Sequence, residues 1–378
     1  MSVGNQVEKP RFFIDLLNYQ YQVGNVGTIS GGNWGTDDEL GEMHPHTIGF
    51  TPTKVYELDI EGQNDYAYFK VGFKRPISIQ NRPMFVGVLG HDWATKGYTF
   101  ELQFHAGGSD WNDGNNTAEH QTESENIVNS SCEYDGWSLF KFEPTVTDGI
   151  TSAVIKIHGL NFESDVLNSY RLGCFAMGYI YEPEFNADLA LSQSRIMDGV
   201  KNKQTKSGKT YSVINYLRPS NWWNGSPFEL TDPSVTTPGV AYTNARIGRR
   251  SWDLRFSQLS DRFYTDGVPN GVFPANEMVN PFLPDKVNGN YIADQDYQDG
   301  SSAFGTIDSF NYNINNDNSL YSTVYHHTLG GTLPFLFSPS PDNSPQNFSI
   351  CRFHQPGFRV QQKSYKKYNV SMKIDESW

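Results

Sequence analysis

Cysteine is scarce in this chain of 378 residues: Cys132, Cys174 and Cys351 stand far apart, with no CxxC spacing. Neither a thiolate metal site nor a disulfide framework is expected from that pattern. Basic charge is also short, with 29 Lys and Arg against 42 Asp and Glu and a net charge of -13. Phosphate binding needs basic surface, so no nucleic-acid partner is expected. Long apolar runs are missing. No stretch approaches the ~20 residues that span a bilayer. The opening MSVGNQVEKPRFFIDLL lacks the basic segment followed by an apolar one that marks a secretory signal. The expectation is a protein made in a cytoplasm and not inserted in a membrane. The GxSxG, HExxH and P-loop motifs are absent as well.

Aromatics and turn formers are plentiful instead. Phe (25) and Tyr (21) carry an aromatic fraction of 14%, beside 34 Gly and 20 Pro. Aromatic and β-branched side chains suit a pleated surface better than a helix, so the fold class expected is mainly β. The chain alternates accordingly. KVYELDI sets Tyr56, Leu58 and Ile60 against Glu57 and Asp59, and YTFELQFH sets Tyr98, Phe100, Leu102 and Phe104 against Glu101, Gln103 and His105. AVIKIH sets Ile155 and Ile157 against Lys156 and His158. Period-two alternation of this kind predicts half-buried antiparallel strands. SWDLRFSQLS alternates Trp252, Leu254 and Phe256, and NVSMKI puts Val370, Met372 and Ile374 on one face. NFSICRF carries apolar groups on both faces, as a strand covered on both sides would. In LYSTVYHHTL the spacing of Leu320, Val324, Tyr325 and Leu329 fits a short helix.

These signals predict two β-sandwich or jelly-roll-like domains, at residues 1–185 and 211–378. The polar, Lys-rich stretch 186–210 is read as a connector or exposed loop. A Pro-, Gly- and Asn-rich excursion over about 265–305 reads as a contact surface.

Sites that could carry chemistry are few. His44 and His46 with Glu42 could ligate a metal, but a strand would put both imidazoles on one face with no third ligand evident. His91, His326 and His327 have no nucleophile motif nearby. DQDYQDG and DWNDG lack the closing bidentate Glu of a calcium loop. Among 42 acids no pair can be singled out as the carboxylates of a glycosidase. The expectation is no enzyme, no metal and no cofactor. Aromatic anchors are the better candidates for ligand or subunit contact: Trp111, Trp222 and Trp223 sit among turn residues, and Trp378 follows the last strand.

RLGCFAMGYIYEP, then SGKTYS, RRSWDLRFSQLS, GGTLPFLFSPSPDNSPQNFSICRF and finally YNVSMKIDESW resemble the C-terminal halves of structural proteins in tailed-bacteriophage virions, of the distal-tail or minor-tail type. The resemblance covers about residues 168–378. It implies a tail-tube-related sandwich in the C-terminal domain, a non-enzymatic role in the virion, and assembly into a ring or shell as a homo-oligomer with other virion proteins. The alternative is a carbohydrate- or receptor-binding module that recognises a host glycan. A glycan hydrolase has no specific feature behind it.

Overall fold

A computed structural model of the chain describes residues 9–32, 45–50, 56–58, 66–77, 79, 83–106, 123–132, 136–144, 149–159, 170–183, 185–188, 192–196, 200–214, 249–260, 264–265, 268–269, 319–341, 348–357, 359–364 and 367–377. Strand follows strand, as the alternation predicts. The first are β1 (Arg11–Asp15), β2 (Val26–Gly32), β3 (Tyr56–Leu58), β4 (Tyr66–Ile77), β5 (Met84–Leu89) and β6 (Thr99–Ala106). Then come β7 (Glu123–Ser131), β8 (Trp137–Phe142), β9 (Ile150–His158), β10 (Tyr170–Leu172) and β11 (Cys174–Tyr181). Beyond residue 185 lie β12 (Ser192–Ile196), β13 (Val200–Gln204), β14 (Thr210–Ile214), β15 (Arg249–Ser260), β16 (Tyr264–Thr265) and β17 (Val268–Pro269). The last are β18 (Phe335–Ser338), β19 (Ser349–Phe353), β20 (Val360–Ser364) and β21 (Lys367–Glu376). The described helices are short: α1 (Leu16–Gln22), α2 (Trp93–Lys96), a 3-10 turn at Pro45–Ile48 and a π-helix at Leu320–His326. The fold is mainly β and sandwich-like, as its composition predicts.

Two antiparallel sheets dominate. The larger runs β12-β15-β21-β19-β18-β1-β11-β5-β8, with β20 also paired to β21; the smaller runs β2-β4-β9-β6-β7. The sandwich forms where the smaller sheet lays Phe69, Phe100, Phe104 and Ile155 against Val86, Phe142, Phe175 and Met177 of the larger. Rings meet directly across it, Phe69 on Phe175 at 4.8 Å between centroids and Phe100 edge-on to Phe140 at 4.5 Å. Such aromatic pairs are worth about 0.5–1.5 kcal/mol beyond the area they bury.

The same face of the larger sheet continues past residue 185. There Trp252, Leu254 and Phe256 of β15 lie beside Ile374, Met372 and Val370 of β21, register partners along the ladder. The π-helix lays Leu320, Val324 and Tyr325 on this face. The spacing that predicts a helix there is thus met, except that Leu329 is exposed and left-handed (φ 51°). Leu329 ends a turn that Gly330 and Gly331 continue at positive φ, so its side chain points away from the stripe.

β19 is buried on both faces, as NFSICRF predicts: Phe348 and Ile350 join one cluster, Cys351 and Phe353 the other. Arg352 alone is exposed on that strand, donating to the Thr332 carbonyl at 2.6 Å.

The two segments expected as separate domains share one hydrogen-bonded sheet. β1 pairs with β11 on one side, Phe12 opposite Tyr181, and with β18 on the other, Phe12 opposite Phe337. Phe12 touches Tyr181, Phe335 and Phe337 at 5.3 to 6.3 Å between centroids, while Phe13, on the opposite face, meets Phe85 and Phe348. Within 186–210, β12 forms an edge of the larger sheet, and β13 opens a hairpin with β14. The excursion at 265–305 lies outside the described residues apart from Thr265 and Val268–Pro269.

Because β1 links both segments, its loss should be felt by all of the larger sheet. Phe12→Ala empties a fully buried ring site and is expected to cost about 3–5 kcal/mol. Urea unfolding followed by tryptophan fluorescence and far-UV circular dichroism should show one shared transition in the wild type, moved to lower urea in the variant. Two separate transitions in the wild type would show that 1–185 and 211–378 unfold independently.

Candidate functional site

Two sets of buried ionisable groups stand out among the described residues. The first lies on the polar face of the smaller sheet. Alternation on β6 turns Phe100, Leu102 and Phe104 into the core and Glu101, Gln103 and His105 to the other side, and β9 does the same with Lys156 beside Glu101 and Ser152 beside His105. The sequence predicts half-buried strands, yet this polar side is closed off too: Glu101 is 7% exposed, Lys156 5% and His105 0%.

A carboxylate out of water needs partners. Glu101 has Lys156 Nζ at 3.7 Å on one oxygen and His158 Nε2 at 3.1 Å on the other, and Gln103 Nε2 donates to it as well. Burial works to raise the Glu101 pKa, but the hydrogen bond from His158 and the nearby charges more than offset it, and the carboxyl is held below its ordinary value. The Ser152 hydroxyl and the Gln103 Oε1 atom are buried with no hydrogen bond. One carboxylate with an ammonium and an imidazole makes a satisfied ion cluster. It has no second carboxyl for glycoside chemistry and no nucleophile, and no group of three or more His, Cys, Asp or Glu able to hold a metal occurs among the described residues.

The second set sits where β1 turns into α1. Asp15 caps that helix, its Oδ1 accepting from the N–H groups of Leu17 at 3.0 Å and Asn18 at 3.3 Å. The same oxygen accepts from Met177 N–H at 3.4 Å, tying the cap to β11, while Oδ2 is buried without a hydrogen bond. Burial pushes the carboxyl up to about 8 against the lowering effect of those donors, so it is protonated at neutral pH. Gly178 opposite Asp15 allows this close approach, since a Cβ there would overlap the Ile14 carbonyl oxygen.

The sequence candidates fall elsewhere. Trp111, Trp222, Trp223 and Trp378 lie outside the described residues, as do Glu42 and His44. His46 falls in the 3-10 turn Pro45–Ile48 and not on a strand. His91 is buried, its Nε2 3.1 Å from the Ser138 hydroxyl and its Nδ1 accepting from Trp93 N–H. His326 and His327 close the π-helix: Tyr19 OH lies 3.0 Å from His326 Nε2, and His327 Nδ1 lies 2.6 Å from the Ser322 carbonyl. Burial holds the His326 pKa below its ordinary value. All three cysteines are buried, and none is in a disulfide. Composition and periodicity missed both sets, because alternation marks Glu101 and Lys156 as outward-facing without telling that the outward face is covered.

The two carboxyls predict opposite responses to pH. For Glu101 the folded pKa is depressed, so its contribution is present above the unfolded value near 4.5 and is lost as pH falls. Glu101→Gln should cost about 3–5 kcal/mol at pH 7, where it strands a buried ammonium, and progressively less below pH 4.5. For Asp15 the folded pKa is raised, so stability is lost as pH climbs from about 4 to about 8. Asp15→Asn should therefore gain on the wild type in melting temperature across that same window.

No family model matches the chain, and no curated protein does. Among solved structures it is similar to chitosan-binding module 1 from a chitosanase/glucanase of Paenibacillus sp. IK-5, at 11% identity over 43% of this chain and 98% of that one, with a TM-score of 0.26. It is also similar to a pectin binding carbohydrate binding module, at 10% identity over 40% of this chain and 90% of that one, with a TM-score of 0.24. Likeness at this level decides nothing about what this chain binds.

Proposed function

We propose that the chain is a non-enzymatic structural component of a bacteriophage virion, a distal-tail or minor-tail protein that assembles into a ring or shell. One observation carries the reading. The main stretches behind the resemblance are scattered over more than 200 residues of sequence, yet they supply neighbouring strands of one sheet. RRSWDLRFSQLS is β15, YNVSMKIDESW holds most of β21, ICRF falls in β19, PFLFSP contains β18 and LGCFAMGYIY contains β11. In the order β15-β21-β19-β18-β1-β11 only β1 stands between them. Segments that read as a loose set of motifs thus supply neighbouring strands of one sheet, which supports the reading, while SGKTYS lies in the separate β13–β14 hairpin.

The buried charges fit a structural role. Arg250 and Glu376 pair at 2.9 Å beneath the surface, and both also reach the Ser349 hydroxyl, so β15, β21 and β19 are tied by side chains as well as by their ladder. The alternative is a carbohydrate- or receptor-binding module that recognises a host glycan; its aromatic candidates lie outside the described residues.

The test is assembly. Purified full-length chain viewed by negative stain and sedimentation velocity should form closed rings of uniform size, and an antibody against it should label phage tails. A chain that stays monomeric at tens of micromolar and is absent from virions would overturn the proposal.

A further inference from the structure

Two imidazoles that the assembly reading leaves unused, His326 and His327, lie where α1 meets the π-helix. The Tyr19 hydroxyl of α1 is 3.0 Å from His326 Nε2. Its ring lies 5.6 Å from that imidazole and 4.8 Å, edge-on, from the imidazole of His327. Tyr179 of β11 comes edge-on to His327 at 5.5 Å, and the two imidazoles stand 5.4 Å apart. Three elements thus close on one cluster of two His and two Tyr rings.

The hydrogen bonds show which protonation state closes it. Burial raises the Tyr19 pKa, so the phenol keeps its proton near neutral pH and can donate to the lone pair of a neutral His326. His327 is 2% exposed, and its Nδ1–H donates to the Ser322 carbonyl at 2.6 Å. A proton added to Nε2 of His326 makes that atom a donor and forces the Tyr19 hydroxyl to reverse. A proton added to His327 places a cation out of water beside the first.

The surrounding elements bring little counter-charge. α1 (LLNYQYQ), β11 (CFAMGYIY) and residues 319–333 (SLYSTVYHHTLGGTL) contain no Asp, Glu, Lys or Arg. The titratable groups of β11 are Cys174, whose thiol burial pushes up, with Tyr179 and Tyr181. β1 also packs on the π-helix and has two charged residues. Arg11 reaches Ser338 and Ser340, and Asp15 is neutral here with its Oδ1 taken by the N–H groups of Leu17, Asn18 and Met177. The turn Pro45–Ile48, packed on α1 and β11, adds His46 in sequence, a third imidazole and no carboxyl. A helix C-terminus ordinarily favours a cation, yet burial prevails at His326 and holds its pKa below the ordinary value. A histidine of this kind takes its proton more readily once released. Closure is therefore favoured above the ordinary value of 6.5 and is lost as pH falls through it.

We propose that α1 and the π-helix form an acid-released clasp, in which neutral His326 and His327 hold Tyr19 and close α1 on the C-terminal half, and their protonation frees α1 while the sheets stay paired. The ladders of β1 to β11 and β18 are made by residues 11–15 and do not include α1. Release uncovers Leu16, Leu17 and Tyr19, all buried in the closed form, so acid turns a covered apolar face toward solvent. The clasp goes beyond the assembly reading and does not depend on it.

The test is hydrogen–deuterium exchange of the full-length chain at about pH 7.5 and about pH 5, corrected for intrinsic rates. At the lower value the Glu101 carboxyl is still ionised, since its pKa is held below 4.5. Peptides covering 16–25 and 319–331 should lose roughly tenfold or more of their protection there, while peptides of β15 and β21 keep theirs. His326→Gln combined with His327→Gln keeps polar side chains without a proton site and should hold both peptides closed at either pH. Three results overturn the clasp: both wild-type peptides stay protected at the lower pH, protection falls everywhere at once, or the double variant responds to acid as the wild type does. Where the double variant does not fold, the wild type decides through exchange of its imidazole C2 hydrogens, read by mass spectrometry. The peptide holding His326 and His327 should titrate over the range in which α1 opens, and titration in that range confined to His46, His158 or His354 overturns the proposal.

Discussion

The structure depends on a strand of five residues. β1 is hydrogen-bonded on both edges and carries aromatic side chains to both faces, so it joins the strands before residue 185 to those after 335 by ladder and by packing together. A strand covered on all four sides has no solvated direction in which to relax. Its neighbours are fixed accordingly. Gly178 is small because Asp15 comes close, Asp15 caps α1 because the chain must turn there, and the cap's contact with Met177 holds α1 against β11.

Around that seam, ionisable groups are buried in paired form. Glu101 faces Lys156 and His158 on the smaller sheet, and Arg250 faces Glu376 on the larger. Buried pairs add little net stability against apolar groups of the same size, but a broken pair leaves an uncompensated charge. They therefore act on register more than on stability: a one-residue slip of β21 along β15 would carry Glu376 to the other face and strand Arg250. Asp15 solves the same problem by staying protonated, which makes it the described carboxyl whose ionisation works against the fold.

Much of this was legible beforehand. The inward residues of β6, β9, β15 and β21 follow from period two alone, because successive side chains on an extended chain point to opposite sides whatever the partner strand. The two-sided burial of β19 follows from apolar groups at both parities. What the sequence could not decide is which strands pair. Ladder partners such as Phe12 and Phe337 are hundreds of residues apart, and their choice rests on how all the apolar faces close at once. For the same reason the polar side of β6 reads as solvated from its own residues and is buried in the folded chain, and a Lys-rich stretch that reads as a connector or exposed loop becomes an edge strand and an exposed hairpin. Local sterics set the faces of each strand, while neighbours, cover and exposed edges belong to the tertiary structure, since burial is a property of the whole surface that closes over a residue.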